Sequence, residues 1–257
     1  MGDQVKNEVE ELECILNDSR ADPIKISYAA IKYITKNFAQ VISYGEFGVV
    51  YLGCLQQRMV AVKKLSALND LSSEKFLAEL NCLKKVKHRN IVRFIGYCAD
   101  TRGEVMEFEG KTRVFDDRHM LLCFEYVPNG NLQHYLEDKT YGYEWNMRYQ
   151  IIKGICHGLD YIHQKRINHL DLKPANVLLG VNMEPKINDF GVSTCIDEDH
   201  STMVTENPVG TLGYIAPEVI DKGLSSNKSD IFSLGVIIIN ILRGCNGCIP
   251  ENVRIIY

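Results

Sequence analysis

The chain has 257 residues, with 29 Lys plus Arg against 33 Asp plus Glu and a formal charge of −4. That length can hold one large domain or two small ones with a substantial core, and 46% hydrophobic with 24% charged residues excludes wholesale disorder, collagen and coiled coil. No excess of Lys and Arg is present to neutralise phosphates, which argues against a nucleic-acid module.

The charge is uneven. Residues 1–22 carry seven acids against Lys6 and Arg20, a net of −5, which leaves +1 for the rest. An acidic lead-in of this kind is expected to be a solvated or partly helical tail. The nine cysteines are odd in number and irregularly spaced, and no apolar signal region opens the chain, so reduced thiols and a cytoplasmic setting are expected. Cys245-Asn-Gly-Cys248 has the spacing of half a zinc site, without a second pair or a His doublet at ligand spacing. Met1-Gly2 opens a myristoylation pattern that Lys6 breaks, since Ser or Thr is wanted there.

In chain order, residues 23–38 read as a short strand and a brief helix. Runs rich in Val, Ile, Leu and aromatics follow at 41–52, 59–64, 91–98 and 120–127. A helix is expected over about 73–86, where Phe76, Leu80 and Leu83 recur at helical spacing. The charged stretch 99–119 between two strand runs reads as a long exposed loop. After Pro128-Asn129-Gly130 the pattern turns helical, and Ile151, Ile152, Ile155, Leu159 and Ile162 mark one face of a helix over about 146–163. The apolar run 231–242 is too short to span a bilayer and reads as a helix buried on all sides. A β-rich part followed by a helix-rich part predicts two lobes, and a cleft between unequal lobes is a natural ligand site.

Chemistry enters with Ser43-Tyr44-Gly45-Glu46-Phe47-Gly48-Val49-Val50, a G-x-G-x-x-G-x-V pattern with serine at the first glycine. A dinucleotide fingerprint would open a helix here, whereas Val49-Val50-Tyr51-Leu52 favours a strand. In Val60-Ala61-Val62-Lys63, strand alternation sends Ala61 and Lys63 to one face; an edge-strand lysine in solvent is the bland alternative. Glu79 lies on the apolar face of the helix that follows, where a carboxylate is costly unless paired. Lys63 is its natural partner, and Lys75 the surface alternative.

The strongest pattern is His169-Leu170-Asp171-Leu172-Lys173-Pro174-Ala175-Asn176, followed by Asn188-Asp189-Phe190-Gly191 and Gly210-Thr211-Leu212-Gly213-Tyr214-Ile215-Ala216-Pro217-Glu218. With these motifs in order the chain resembles the protein kinase family over about residues 37–242. The G-T-x-G-Y-x-A-P-E run and Asn90-Ile-Val-Arg-Phe-Ile-Gly-Tyr-Cys98 resemble the plant receptor-like and Pelle-type serine/threonine branch.

The resemblance implies an α+β, two-lobed kinase-like fold: an acidic lead-in at 1–36, a small β-rich N-lobe at 37–127, and a helical C-lobe at 128–257 lacking its last helices. It implies ATP and Mg²⁺ as cofactors. Asp171 would accept or orient the proton of the attacking hydroxyl, with Asn176 and Asp189 as metal ligands. Lys63, held by Glu79, would grip the α- and β-phosphates under a loop containing Ser43, Gly45 and Gly48, and Lys173 would approach the γ-phosphate. Val50, Ala61 and Leu178 would sandwich adenine, backbone near Glu125 and Val127 would bind its edge, and Phe124 would be the gatekeeper. Lys173-Pro174 and a Thr211 bonded to Asp171 and Lys173 resemble the serine/threonine group.

Three departures stand out: Ser43 for the first loop glycine, Leu170 for the arginine of H-R-D, and a chain that ends soon after the helix at 231–242. Leucine cannot capture an activation-loop phosphate, so activation is expected not to depend on phosphate at Ser201, Thr202 or Thr205. By resemblance Asp230 braces the catalytic loop, and Glu218 is expected to be a buried unpaired charge. The expected activity is transfer of the γ-phosphate of Mg-ATP to Ser/Thr hydroxyls of proteins in receptor-like kinase signalling. The alternative is a truncated, weakly active or inactive nucleotide-binding scaffold or decoy; a dehydrogenase is remote. Expected partners are a protein substrate and a receptor or signalling protein, at the inner face of the plasma membrane, with neither nucleic acid nor a transmembrane segment.

Overall fold

The structure is a computed structural model that describes residues 2–45, 48–66, 71–108, 111–138, 144–196, 202–204 and 209–244, with side chains left out at 71–72 and 102–117. Contacts divide the chain into two compact units. One holds Met1–Leu80 and Arg93–Tyr126, the other Asn81–Val92 and Val127–Tyr257.

The first unit is β-rich. Its elements are α1 (Asp3–Asn17), β1 (Ile24–Lys25), α2 (Tyr28–Ile34), β2 (Val41–Gly45), β3 (Gly48–Cys54), β4 (Met59–Leu65), most of α3 (Leu71–Leu83), β5 (Phe94–Phe108) and β6 (Lys111–Glu125). Six strands form one sheet in the order β1-β5-β6-β4-β3-β2, antiparallel except for the β1–β5 edge. Strand β4 is buried on both faces, Val60 and Val62 on one and Lys63 and Leu65 on the other, while Met59 at its start is exposed. Gly48 is forced by contact: a Cβ there would run into the Lys64 carbonyl on the neighbouring strand.

Two expectations change in this unit. The stretch 99–119 is no loop, because β5 and β6 pair in unbroken register from Gly96↔Cys123 to Phe108↔Lys111. Val105, Phe108, Thr112, Val114 and Phe115 are β-favouring residues, and their polar neighbours disguise the strand as a charged loop. The acidic lead-in, expected as a solvated or partly helical tail, is helical over Asp3–Asn17 but is packed on one face rather than solvated. Val9, Leu12, Ile15 and Leu16 of α1 pack with Ile26, Ile31, Ile34, Val60, Val62, Ile95 and Leu121 in one apolar cluster.

The acids of α1 help to hold it there. Glu8 Oε2 accepts from the Ser27 N–H at 2.9 Å, and Glu13 Oε1 accepts from the N–H groups of Gln56 and Gln57 at 2.5 and 3.3 Å. At the other end, the Arg93 guanidinium donates to the carbonyls of Ile15 and Asp18 at 2.6 and 2.5 Å. A cation there satisfies the helix's last acceptors and its negative dipole end.

The second unit is mainly helical. It contains α4 (Leu132–Glu137), α5 (Trp145–Gln164), β7 (Ile167–Asn168), a 3₁₀ turn (Pro174–Asn176), β8 (Val177–Leu179), β9 (Pro185–Ile187), β10 (Thr194–Cys195), β11 (Thr202–Val204), α6 (Pro217–Lys222), β12 (Leu224–Ser226) and α7 (Asn227–Arg243). The strands form three short antiparallel pairs, β7–β10, β8–β9 and β11–β12. Asn131 caps α4 by accepting from the His134 N–H, and a Ser226–Ser229 capping box opens α7. Helix α5 buries Ile151, Ile155, Leu159 and Ile162 of the face expected from their spacing, while Ile152, expected with them, is only half-buried.

Helix α7 is buried on one face only. Asp230, Ser233, Leu234, Ile237, Asn240 and Ile241 are buried, while Ile231 and Leu242 are 47% and 46% exposed. The 3–4 residue recurrence of the buried set marks a single stripe that uniform apolarity hid. Glu218 is half-exposed rather than buried. Among the described residues no helix is long and apolar enough to cross a membrane, and no group of three or more His, Cys, Asp or Glu could hold a metal ion. Cys245, Cys248, Ser201 and Thr205 lie outside the described residues.

Candidate active site

In the first unit, Lys63 Nζ donates to Glu79 Oε1 at 2.8 Å, with side chains only 10% and 2% exposed. The expected pairing is the one present. Opposite Lys63 in register stand Val50 on β3 and Leu122 on β6; Ala61 is likewise flanked by Leu52 and Phe124. Val50 and Ala61 are half-buried, and Phe124 is buried against Phe94, with ring centroids 5.6 Å apart. Ser43 pairs with Val50, and Gly45 with Gly48, across β2 and β3; Glu46 and Phe47 between them lie outside the described residues. A register shift between Val41 and Ser43 bends this hairpin.

At the end of β6, the Glu125 N–H donates to the Arg93 carbonyl and Glu125 Oε1 accepts from the Arg93 N–H, both at 2.9 Å. The Glu125 N–H is thus engaged within its own unit. Val127, in the second unit, is buried.

The second unit gathers the charged cluster. Asp171 Oδ1 accepts from Thr211 Oγ1 at 2.7 Å, and Asp171 Oδ2 accepts from Lys173 Nζ at 2.8 Å and from Asn176 Nδ2 at 3.0 Å. Lys173 Nζ also donates to Thr211 Oγ1 at 2.6 Å, and Asn176 Nδ2 to the Asp171 carbonyl at 2.8 Å. Asp171 is 8% exposed, and each of its carboxylate oxygens accepts from a donor. The 3₁₀ turn at Pro174–Asn176 returns Asn176 to Asp171, and proline at its first position suits a turn whose N–H is unused.

Backbone strain sits beside this cluster. Leu170 and Asp189 both adopt φ of +65°, unusual for residues with a Cβ. Asp230 holds the first of these bends: fully buried, it accepts from the N–H groups of His169 and Leu170, both at 2.8 Å, and from His163 Nε2 at 2.9 Å. His169 links the second. Its Nε2 donates to the Asn188 carbonyl at 3.0 Å, and its Nδ1 accepts from the Asp171 N–H at 3.3 Å. A carbonyl can only accept and an amide N–H only donate, which assigns the ring proton to Nε2. Ser193 Oγ closes the loop by donating to the His169 carbonyl at 3.1 Å.

His163 and Ser193 went unread in the sequence, because their partners Asp230 and His169 are 67 and 24 residues away and no local spacing announces them.

The donor chemistry fits a divalent cation. Asn176 directs its Nδ2 into Asp171, which leaves Oδ1 as a hard oxygen donor. The Asn188 N–H donates to the Asn176 carbonyl at 2.9 Å, so Asp189 directly follows a residue tied to Asn176. One carboxylate and one amide oxygen are too few to cage an ion alone; they suit a metal that keeps water and phosphate oxygens as its other ligands. Leu178, half-buried on β8, is paired with Lys186 and bridged to Asn131.

Residues 37–253 match the model of the protein kinase domain. The chain belongs to the protein kinase family. Among curated relatives of this kinase chain are three from Arabidopsis thaliana; a leaf rust 10 disease-resistance locus receptor-like protein kinase-like 2.4 is 37% identical over 88% of this chain and 35% of its own length. A G-type lectin S-receptor-like serine/threonine-protein kinase SD1-13 is 39% identical over 84% of this chain and 25% of its own length. The protein suppressor of NPR1-1 constitutive 4 is 37% identical over 86% and 19%. The chain thus spans about a third or less of the length of these relatives.

Proposed function

We propose that this kinase chain transfers the γ-phosphate of Mg-ATP to serine and threonine hydroxyls of protein substrates, as a receptor-like kinase catalytic region acting at the cytoplasmic face of the plasma membrane through a partner. The observation that carries the proposal is the Asp171 carboxylate, held by Thr211, Lys173 and Asn176 at 2.7–3.0 Å. Bound Mg-ATP supplies an activated phosphoryl group and a metal that offsets its charge. Asp171 orients the substrate hydroxyl and accepts its proton. Lys173, already beside Asp171, offsets negative charge near the transferred group, and Thr211 fixes both. Asn176 and Asp189 offer oxygen ligands to Mg²⁺. Lys63, fixed by Glu79, neutralises the α- and β-phosphates beneath the Ser43–Gly48 hairpin. Val50, Ala61 and Leu178 contact adenine, Glu125 and Val127 offer backbone groups to its edge, and Phe124 limits its depth.

In this reading residues 37–127 and 128–257 are the two lobes, preceded by residues 1–36. The serine/threonine assignment rests on Thr211 bonding both Asp171 and Lys173, and on the names of the relatives. Leu170 leaves no guanidinium for an activation-loop phosphate, so turnover proceeds without one. The test compares the parent with Asp171→Asn on a basic protein substrate. Both should gain thermal stability from Mg-ATP, and the parent should transfer label far faster than Asp171→Asn. Stabilisation of the parent with no transfer would reduce the chain to a nucleotide-binding scaffold and overturn the proposal.

A further inference from the structure

The second unit holds a pair of cysteines that the kinase reading does not use. Cys82, in the last turn of α3, and Cys195, the second residue of β10, have their sulfurs 3.1 Å apart as thiols. The two are 113 residues apart in sequence, so tertiary structure alone brings them together. Cys195 is held in place by its pairing with Ile167 on β7 and by the Ile196 N–H, which donates to the Arg166 carbonyl at 2.8 Å. Cys82 is 1% exposed, and its thiol donates to the Ser193 carbonyl at 3.8 Å, two residues before Cys195.

We propose that Cys82 and Cys195 form a reversible redox-modification site that a peroxide closes into a disulfide. Half-buried Cys195 meets the oxidant. Its sulfur attacks one peroxide oxygen, breaking the O–O bond, forming a sulfenic acid and releasing water. Cys82 then attacks the sulfenic sulfur; the S–S bond forms, the S–O bond breaks, and the Cys82 proton leaves with the hydroxyl as a second water. Two thiols are oxidised by two electrons while one hydrogen peroxide is reduced to two waters. The sulfurs need to approach by only about 1 Å to reach a disulfide bond of about 2.05 Å.

The remaining described cysteines separate into three groups, one of them the single half-buried Cys156 on α5, whose thiol burial pushes up. Cys14 and Cys54 are exposed. Cys98 and Cys123 are buried thiols in the sheet; burial pushes Cys123 up to about 12, and burial followed by the neighbouring Asp100 does the same to Cys98, so neither supplies thiolate. The Cys82–Cys195 pair alone among them combines a reachable sulfur with a resolving one. The bond would join the last turn of the helix bearing Glu79 to the segment that follows Asp189-Phe190-Gly191.

The test titrates the purified chain with hydrogen peroxide, blocks remaining thiols, and maps linked peptides by mass spectrometry. The expected product is an intramolecular Cys82–Cys195 peptide that dithiothreitol removes, accompanied by a rise in the unfolding midpoint. Cys82→Ser should leave Cys195 as a sulfenic acid that dimedone traps, and Cys195→Ser should leave Cys82 unmodified. Because the linked peptide is read on the parent, the proposal stays testable if a variant fails to fold, and it is independent of phosphate transfer. Oxidation of Cys14 and Cys54 without the Cys82–Cys195 link, or conversion of Cys195 to sulfinic acid with Cys82 still a thiol, would overturn it.

Discussion

Glu79 is 2% exposed with the Lys63 ammonium 2.8 Å away, and an enclosed carboxylate of that kind depends on its partner far more than a surface acid does. Lys63→Met should therefore destabilise the chain by about 3–5 kcal/mol in urea unfolding, the range for breaking a buried pair. Lys63→Met with Glu79→Leu should recover part of that loss, and a double-mutant cycle reads the coupling. Additive losses would contradict the pairing. Asp100 behaves differently because it is only partly enclosed: burial raises its carboxyl, but the Tyr28 N–H and the Lys25 ammonium outweigh that and hold it below its usual 3.8. A folded-state value below the unfolded one stabilises above the unfolded value and loses that effect as pH falls through the folded value. The difference in unfolding midpoint between parent and Asp100→Asn should be full near neutral pH and shrink below about pH 4; a constant difference across that range would contradict it.

Among the elements, α1 carries the clearest consequence. Leu12 is fully buried in the cluster that α1 shares with α2 and the sheet, so Leu12→Ala should cost about 2–5 kcal/mol, the range for emptying a buried leucine site. The exposed Glu10→Ala should stay within about 0.5 kcal/mol. Equal effects would mean that α1 does not belong to this core. The helix also shows what was legible. Val9, Leu12 and Leu16 recur at helical spacing in the sequence, but the run of acids around them reads as solvated, and nothing local names Arg93 as the cap 75 residues away. Strand β4 and helix α5 were legible because alternation and 3.6-residue periodicity are local properties. The β5–β6 hairpin was hidden because its outer half carries charge on residues that still pair as strand.

For the molecule as a whole, the catalytic motifs were legible because phosphoryl transfer fixes residue types at short spacings: Asp171, Lys173 and Asn176 fall within six positions, and one turn folds them onto a single carboxylate. The resemblance named Asp230 as a brace, but the supports Ser193 and His163 were not legible, since they act through bonds that close only when the second unit is folded. The formal charge of −4 likewise changes meaning, because acids counted as tail charge include Glu8 and Glu13, which anchor α1. The account's central claim is that the ordered Asp171 cluster transfers phosphate to hydroxyl groups. Initial-rate phosphoamino-acid analysis with γ-labelled Mg-ATP tests it most directly. The parent should form phosphoserine and phosphothreonine, and Asp171→Asn should slow formation by about 10²–10⁴-fold, the usual contribution of a positioned base. Equal rates in the two proteins, or label on tyrosine alone, would contradict it.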